Sequence, residues 1–98
     1  MKLEDCRKKI DAIDADIVEL LNKRAEIVKE VGRLKMKAGL PIVDLERENQ
    51  ILRLVCHESG GGLDDDSVVK IYRQIIKESR QIQVEAMGKM LDQGTKIY

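Results

Sequence analysis

A chain of 98 residues makes one domain, and 37% of it is charged, with 18 basic and 18 acidic residues cancelling to no net charge. That balance, with the two signs interspersed, provides no basic field to favour nucleic acid. No stretch has the apolar length of a membrane span, and the opening MKLEDCRKKIDAID carries charges where a secretory signal needs an apolar core.

The aromatic residues are Tyr72 and Tyr98, and Pro41 is the sole proline. An aliphatic core with so many charges points to an all-α fold. Cys6 and Cys56 lack CxxC or metal spacing and read as reduced thiols of a cytoplasmic protein. His57, the single histidine, falls near a helix end and reads as a surface residue. With no Cys/His cluster, no zinc site is expected.

The first predicted helix runs from about Leu3 to about Ala38. Its apolar seam is Ile10, Ile13, Ile17, Leu20, Ile27, Val31, Leu34 and Ala38, spaced by threes and fours. Arg24 occupies a seam position, and Lys35 stands at the seam's edge about 16 Å further along the axis. A guanidinium keeps its charge at any ordinary pH and needs a partner or water when buried. Two fixed cations on one helical face suit an anion; equally, a polar seam residue can set register or oligomer state. Gly39 and Pro41 end this helix.

The second helix is expected from the N-cap Asp44 to about Cys56. Asp44, Arg47, Glu48 and Ile51 share one face of it. That face suits either a binding surface or an Asp cap beside an ordinary intrahelical ion pair. Ser59 and the glycines at 60–62 form a break. No Lys-Ser/Thr follows them, so they make a linker and not a phosphate loop. The third helix opens on Asp64, Asp65 and Asp66, whose charges suit the positive end of the helix dipole, and continues to about Leu91. Its seam of Val68, Tyr72, Ile75, Ser79, Ile82 and Ala86 is flanked by Ile76, Gln83 and Met90, so Ser79 and Gln83 fall one turn apart on the buried side. Singly, such a serine can be a back-bonded hydroxyl and such a glutamine half-exposed.

The first helix, at about 50 Å, exceeds the roughly 26 Å diameter of a compact domain this size. Helices two and three together are about as long as the first, so one chain covers only part of the first helix's stripe. An uncovered strip of that length implies an intertwined homodimer with the long helices antiparallel.

In order along the chain stand R-K-K-I-D-x-I-D, N-K-R, V-x-x-L-K, G-L-P-I-x-D-x-x-R-E and I-I-K-E-S-R-x-I-Q. This set resembles the all-helical, AroQ-class chorismate mutases over residues 3 to 90. The resemblance implies conversion of chorismate to prephenate, an intramolecular Claisen rearrangement in phenylalanine and tyrosine biosynthesis that uses no metal or organic cofactor. It implies that Arg24 and Arg7 grip carboxylates, Arg7 reaching across from the partner chain, and that Lys35 and Gln83 donate to the ether oxygen. Glu48 and the Asp44 backbone would meet the ring hydroxyl, Arg47 would support that side, and Ser79 would contact the ring carboxylate. Val31, Ile51 and Ile76 would form apolar walls. Helix geometry bears separately on Arg7: it lies about 25 Å from Arg24 on one straight helix, too far for a single small ligand to bridge.

Two alternatives belong beside this reading. An isochorismate-pyruvate lyase shares the fold, although such relatives usually depart at the positions of Asp44, Glu48 and Ser79. A catalytically silent helical dimer is the other. Residues 1–93 form the expected domain, and 94–98 a tail with a strand-like Ile97-Tyr98 pair that could open a fused second domain.

Overall fold

The computed structural model describes residues 1–95, with side chains as far as Leu91. Three helices follow in order: α1 Leu3–Ala38, α2 Leu45–Glu58 and α3 Asp65–Thr95. Each boundary has a local cause. Acidic Glu4 and Asp5 occupy the first turn of α1, and an Asp5 carboxylate oxygen accepts the Lys2 backbone N–H at 3.2 Å. At its other end Gly39 takes φ +68°, a left-handed conformation that costs glycine little. Gly39 N–H then donates to Met36 O at 3.2 Å and Leu40 N–H to Lys35 O at 2.8 Å, closing the helix in a Schellman motif. Asp44 Oδ1 caps α2 by accepting Arg47 N–H at 3.0 Å. Asp64 Oδ1 likewise accepts Ser67 N–H at 2.8 Å and starts α3. That backbone bond is the main cause holding the Asp64 carboxyl below its usual pKa.

Helix α3 packs against both α1 and α2, whose backbones do not approach each other among the described residues. The long α1 stretches the chain to 63 × 29 × 15 Å, with a radius of gyration of 17.4 Å, against about 13 Å for a compact chain of this length. The small core is built on α3: Val68, Ile76, Ser79, Gln83 and Ala86 are buried there, and α1 adds Val28.

The structure corrects the seam reading of α1. The residues α1 buries within the protomer are Val28 and Gly32, flanked by half-buried Ala25 and Met36. This strip lies beside the expected seam. Ile10, Ile13, Ile17, Leu20, Ile27 and Leu34 remain 48–67% exposed. The physical reason is Gly32, which has no side chain to keep α3 away. A Cβ there would sit 3.0 Å from Gln83 Cα and 3.1 Å from Gln83 O. Helix α1 therefore has two apolar strips, one covered by α3 and one uncovered. Gly94 and Thr95, expected in the tail, belong to α3; the strand-like reading of Ile97 and Tyr98 lies outside the described residues.

Candidate functional site

The close approach at Gly32 brings polar side chains of α1 and α3 together. Lys35 Nζ donates to Gln83 Oε1 at 2.7 Å and to the Ile42 carbonyl at 2.7 Å. Gln83 Nε2 donates back to Ser79 O, one turn earlier, at 3.2 Å. Arg24 Nη1 donates to Ser79 Oγ, whose own proton goes to Ile75 O at 2.8 Å. Thus Arg24, Ser79, Gln83 and Lys35 form a continuous chain of hydrogen bonds across the α1–α3 contact. An ammonium has three N–H donors and an amide nitrogen two, so Lys35 and Gln83 each retain one beyond these bonds.

Helix α2 closes the other side. Its capping geometry sets Asp44, Arg47, Glu48 and Ile51 on one face, toward α3. Arg80 of α3 reaches across as a fork: its Nε donates to Glu48 Oε2 at 2.9 Å and its Nη2 to Glu48 Oε1. The Glu48 hydrogen bond pushes the Arg80 pKa up, so Arg80 stays cationic throughout the working range.

Together these groups line a cavity of about 420 Å³ between the three helices. It contains Arg24, Val31, Lys35, Asp44, Arg47, Glu48, Ile51, Ile76, Ser79 and Gln83, which is every residue the sequence singled out for the site except Arg7. Arg7 is exposed on the N-terminal half of α1, away from this cavity. Sequence reasoning missed Arg80, Ile27, Val28 and Ile42, which also line it. Arg80 shares a face with Ile76 and Gln83, spaced i, i+4, i+7, but that spacing alone does not separate it from an arginine facing water.

The electrostatics favour an anion. Arg24, Lys35, Arg47 and Arg80 set four cations against the two carboxylates of Asp44 and Glu48, a net of two positive charges. Arg24 and Lys35 bond to neutral oxygens here, so an incoming carboxylate need not displace an acid from them. Among the described residues no group of His, Cys, Asp and Glu is arranged to hold a metal ion. No helix of the described residues is long and apolar enough to cross a membrane. The chemistry on offer is anion binding and hydrogen-bond donation against apolar walls.

Comparison with known proteins points to a single family. The family model for chorismate mutase type II matches residues 6–84. A bifunctional chorismate mutase/prephenate dehydratase from Aquifex aeolicus is 41% identical over 95 residues, covering 89% of this chain and 26% of that protein. The chain thus spans about a quarter of that relative. A chorismate mutase from Methanocaldococcus jannaschii is 33% identical, with 97% of each chain covered. Among solved structures, a chorismate mutase from Thermus thermophilus superposes with a TM-score of 0.81 at 31% identity, over 85% of this chain and 94% of that one.

Proposed function

The chain belongs to the chorismate mutase type II family, and from that premise we propose that it converts chorismate to prephenate for phenylalanine and tyrosine biosynthesis. The observation that carries this reading is the Lys35–Gln83 pair at 2.7 Å, inside a cavity with two excess positive charges. Chorismate carries two carboxylates, matching that excess. Its rearrangement breaks the ether C–O bond and forms a C–C bond within one molecule, so it needs no nucleophile or base. What it needs is a folded side chain and donors on an ether oxygen that becomes negative. Lys35 and Gln83 each have an unused donor for that oxygen. Arg24 grips a carboxylate, with Ser79 beside it at the ring carboxylate. Glu48 and the Asp44 backbone take the ring hydroxyl, Arg47 supports that side, and Val31, Ile51 and Ile76 press on the apolar faces.

Magnitudes fit. A million-fold acceleration requires about 8 kcal/mol. Each donor fixed on a developing oxyanion supplies about 3 kcal/mol, and restriction of the side chain to its reactive pose adds an entropic share.

The enzyme works as a homodimer in the cytoplasm. The uncovered strip of α1, 48–62% exposed at Ile10, Ile13, Ile17 and Leu20, supports pairing with a second copy. Arg7 of the partner subunit would then reach the cavity that this protomer's Arg7 cannot. The test is to incubate purified protein with chorismate and isochorismate side by side and identify the products by NMR. Prephenate from chorismate is expected. Salicylate and pyruvate from isochorismate as the faster reaction would make the chain a lyase, and turnover of neither would make it a silent dimer.

A further inference from the structure

Glu48 presents a physical difficulty to any dianionic ligand of this cavity. Its side chain is only 17% exposed, and an unpaired carboxylate there would repel a second carboxylate held a few ångströms away. Arg80 removes the difficulty. It is the neighbouring helix's side chain that meets both Glu48 oxygens, and the two-pronged contact fixes the carboxylate plane as well as its charge. Each oxygen retains a lone pair for another donor. Arg80 also ties α2 to α3, which matters because α2 buries no residue completely yet carries Asp44, Arg47 and Glu48 into the site.

We propose that Arg80 is a positioning residue: it cancels the charge of Glu48 and aims its free lone pairs at the substrate's ring hydroxyl, which allows a dianion to sit beside a carboxylate. The inference rests on the chorismate mutase reading of the cavity. Lysine at position 80 would keep the charge but lose the fork, whereas methionine would lose both.

The experiment compares wild type, Arg80→Lys, Arg80→Met, Glu48→Gln and the Arg80→Met/Glu48→Gln double variant by steady-state kinetics with chorismate from pH 5 to 8. Melting curves identify any variant that is unfolded. In Arg80→Met, KM at pH 8 should rise about tenfold or more, as for truncating one member of a hydrogen-bonded charge pair at the exposed end of the range. The other charged groups around Glu48 are Arg24 and Lys35 of α1, Asp44 and Arg47 of α2, and Arg73 and Lys77 of α3 on its outer side. They are common to wild type, so the wild-type KM profile is the baseline. Arg80→Lys should keep KM near wild type and lose kcat. In the double variant, KM should return to that of Glu48→Gln, since no carboxylate is left to repel.

A purely structural Arg80 would give a loss that Glu48→Gln does not relieve, and that result overturns the proposal. So does an Arg80→Met enzyme with wild-type KM. Wild-type protein that leaves chorismate unchanged would instead reject the mutase reading itself, and the inference would fall with it.

Discussion

Replacing Gly32 with alanine tests how the two helices that make the site are held. The added Cβ would sit 3.0 Å from Gln83 Cα, 3.1 Å from Gln83 O and 3.3 Å from Gln83 Cβ. Two of those three atoms are α3 backbone and cannot swing aside, so α1 and α3 must part by at least about 0.4 Å to restore ordinary contact. Overpacking of this kind costs about 1–3 kcal/mol, while alanine returns about 1 kcal/mol of helix propensity relative to glycine. The net is a loss of about 0–2 kcal/mol, or a melting temperature lowered by up to about 10 °C for a domain this small. Activity should suffer more than stability. Lys35 stands one turn beyond Gly32, and its 2.7 Å bond to Gln83 would lengthen toward the outer limit of a good hydrogen bond. A misplacement of about 1 Å costs roughly a hundredfold, so a displacement about half as large should lower kcat about tenfold. Circular-dichroism melting and chorismate turnover measure the two effects. Gly88→Ala is the counterpart, because nothing among the described residues lies within 4 Å of its added carbon; it should melt higher than wild type. A Gly32→Ala protein that also melts higher, with kcat unchanged, would refute the close-approach argument.

Ile17→Glu places an unpaired carboxylate in the strip assigned to the partner chain, at a cost of several kcal/mol when buried; sedimentation should find monomer or unfolded protein without activity, and a fully active monomer would contradict the shared site. Arg7→Ala and Arg24→Ala should each be nearly inactive, yet regain activity when mixed and allowed to exchange subunits, because one site of the heterodimer then has both arginines; proven exchange without recovery would place both in one chain's site. Gln83→Glu can donate to the ether oxygen only as the protonated acid, so its kcat should fall as pH rises through that acid's pKa, and a profile with no such fall would remove Gln83 from that oxygen. Asp64→Ala should lower the melting temperature at pH 7 by loss of the Ser67 N–H bond. Because the folded-state pKa of Asp64 is depressed below its ordinary 3.8, the bond's contribution is full above that value and disappears as pH falls through the folded pKa. The deficit of the variant should therefore vanish in strong acid, and a pH-independent deficit would assign the loss to another cause.

The helix boundaries were legible because they rest on local chemistry. Gly39 before Pro41, Asp44 before α2 and Asp64 before α3 each satisfy backbone groups within a few residues of themselves. The polar residues of the cavity were legible for a related reason: Arg24, Ser79 and Gln83 contradict the apolar period of their helices, and a contradiction is visible without knowing what lies opposite. Which strip of α1 faces α3 was not legible. Val28 and Gly32 carry too little hydrophobic signal to compete with the run of isoleucines beside them, and the value of Gly32 lies in what it lacks. Arg80 escaped for the opposite reason. On a helix this rich in charge, an arginine that neutralises a carboxylate on another helix has the same local pattern as one facing water, and only the placement of α2 tells them apart.

From Leu3 to Lys23, every residue but Cys6 is exposed in the protomer. Nearly six helical turns thus depend on backbone hydrogen bonds and intrinsic propensity, which sustain an isolated helix of this length only marginally in water. The chain has a graded stability: a half anchored on α3 and a half that frays at little cost in a lone protomer. Amide exchange should record this as slow signals around Val28 and Gly32 and fast ones around Ile10 and Ile13 at high dilution, with the fast set slowing as concentration rises. In the proposed homodimer, completion of the first helix becomes a bimolecular event, and its rate would depend on how many copies of the chain are present.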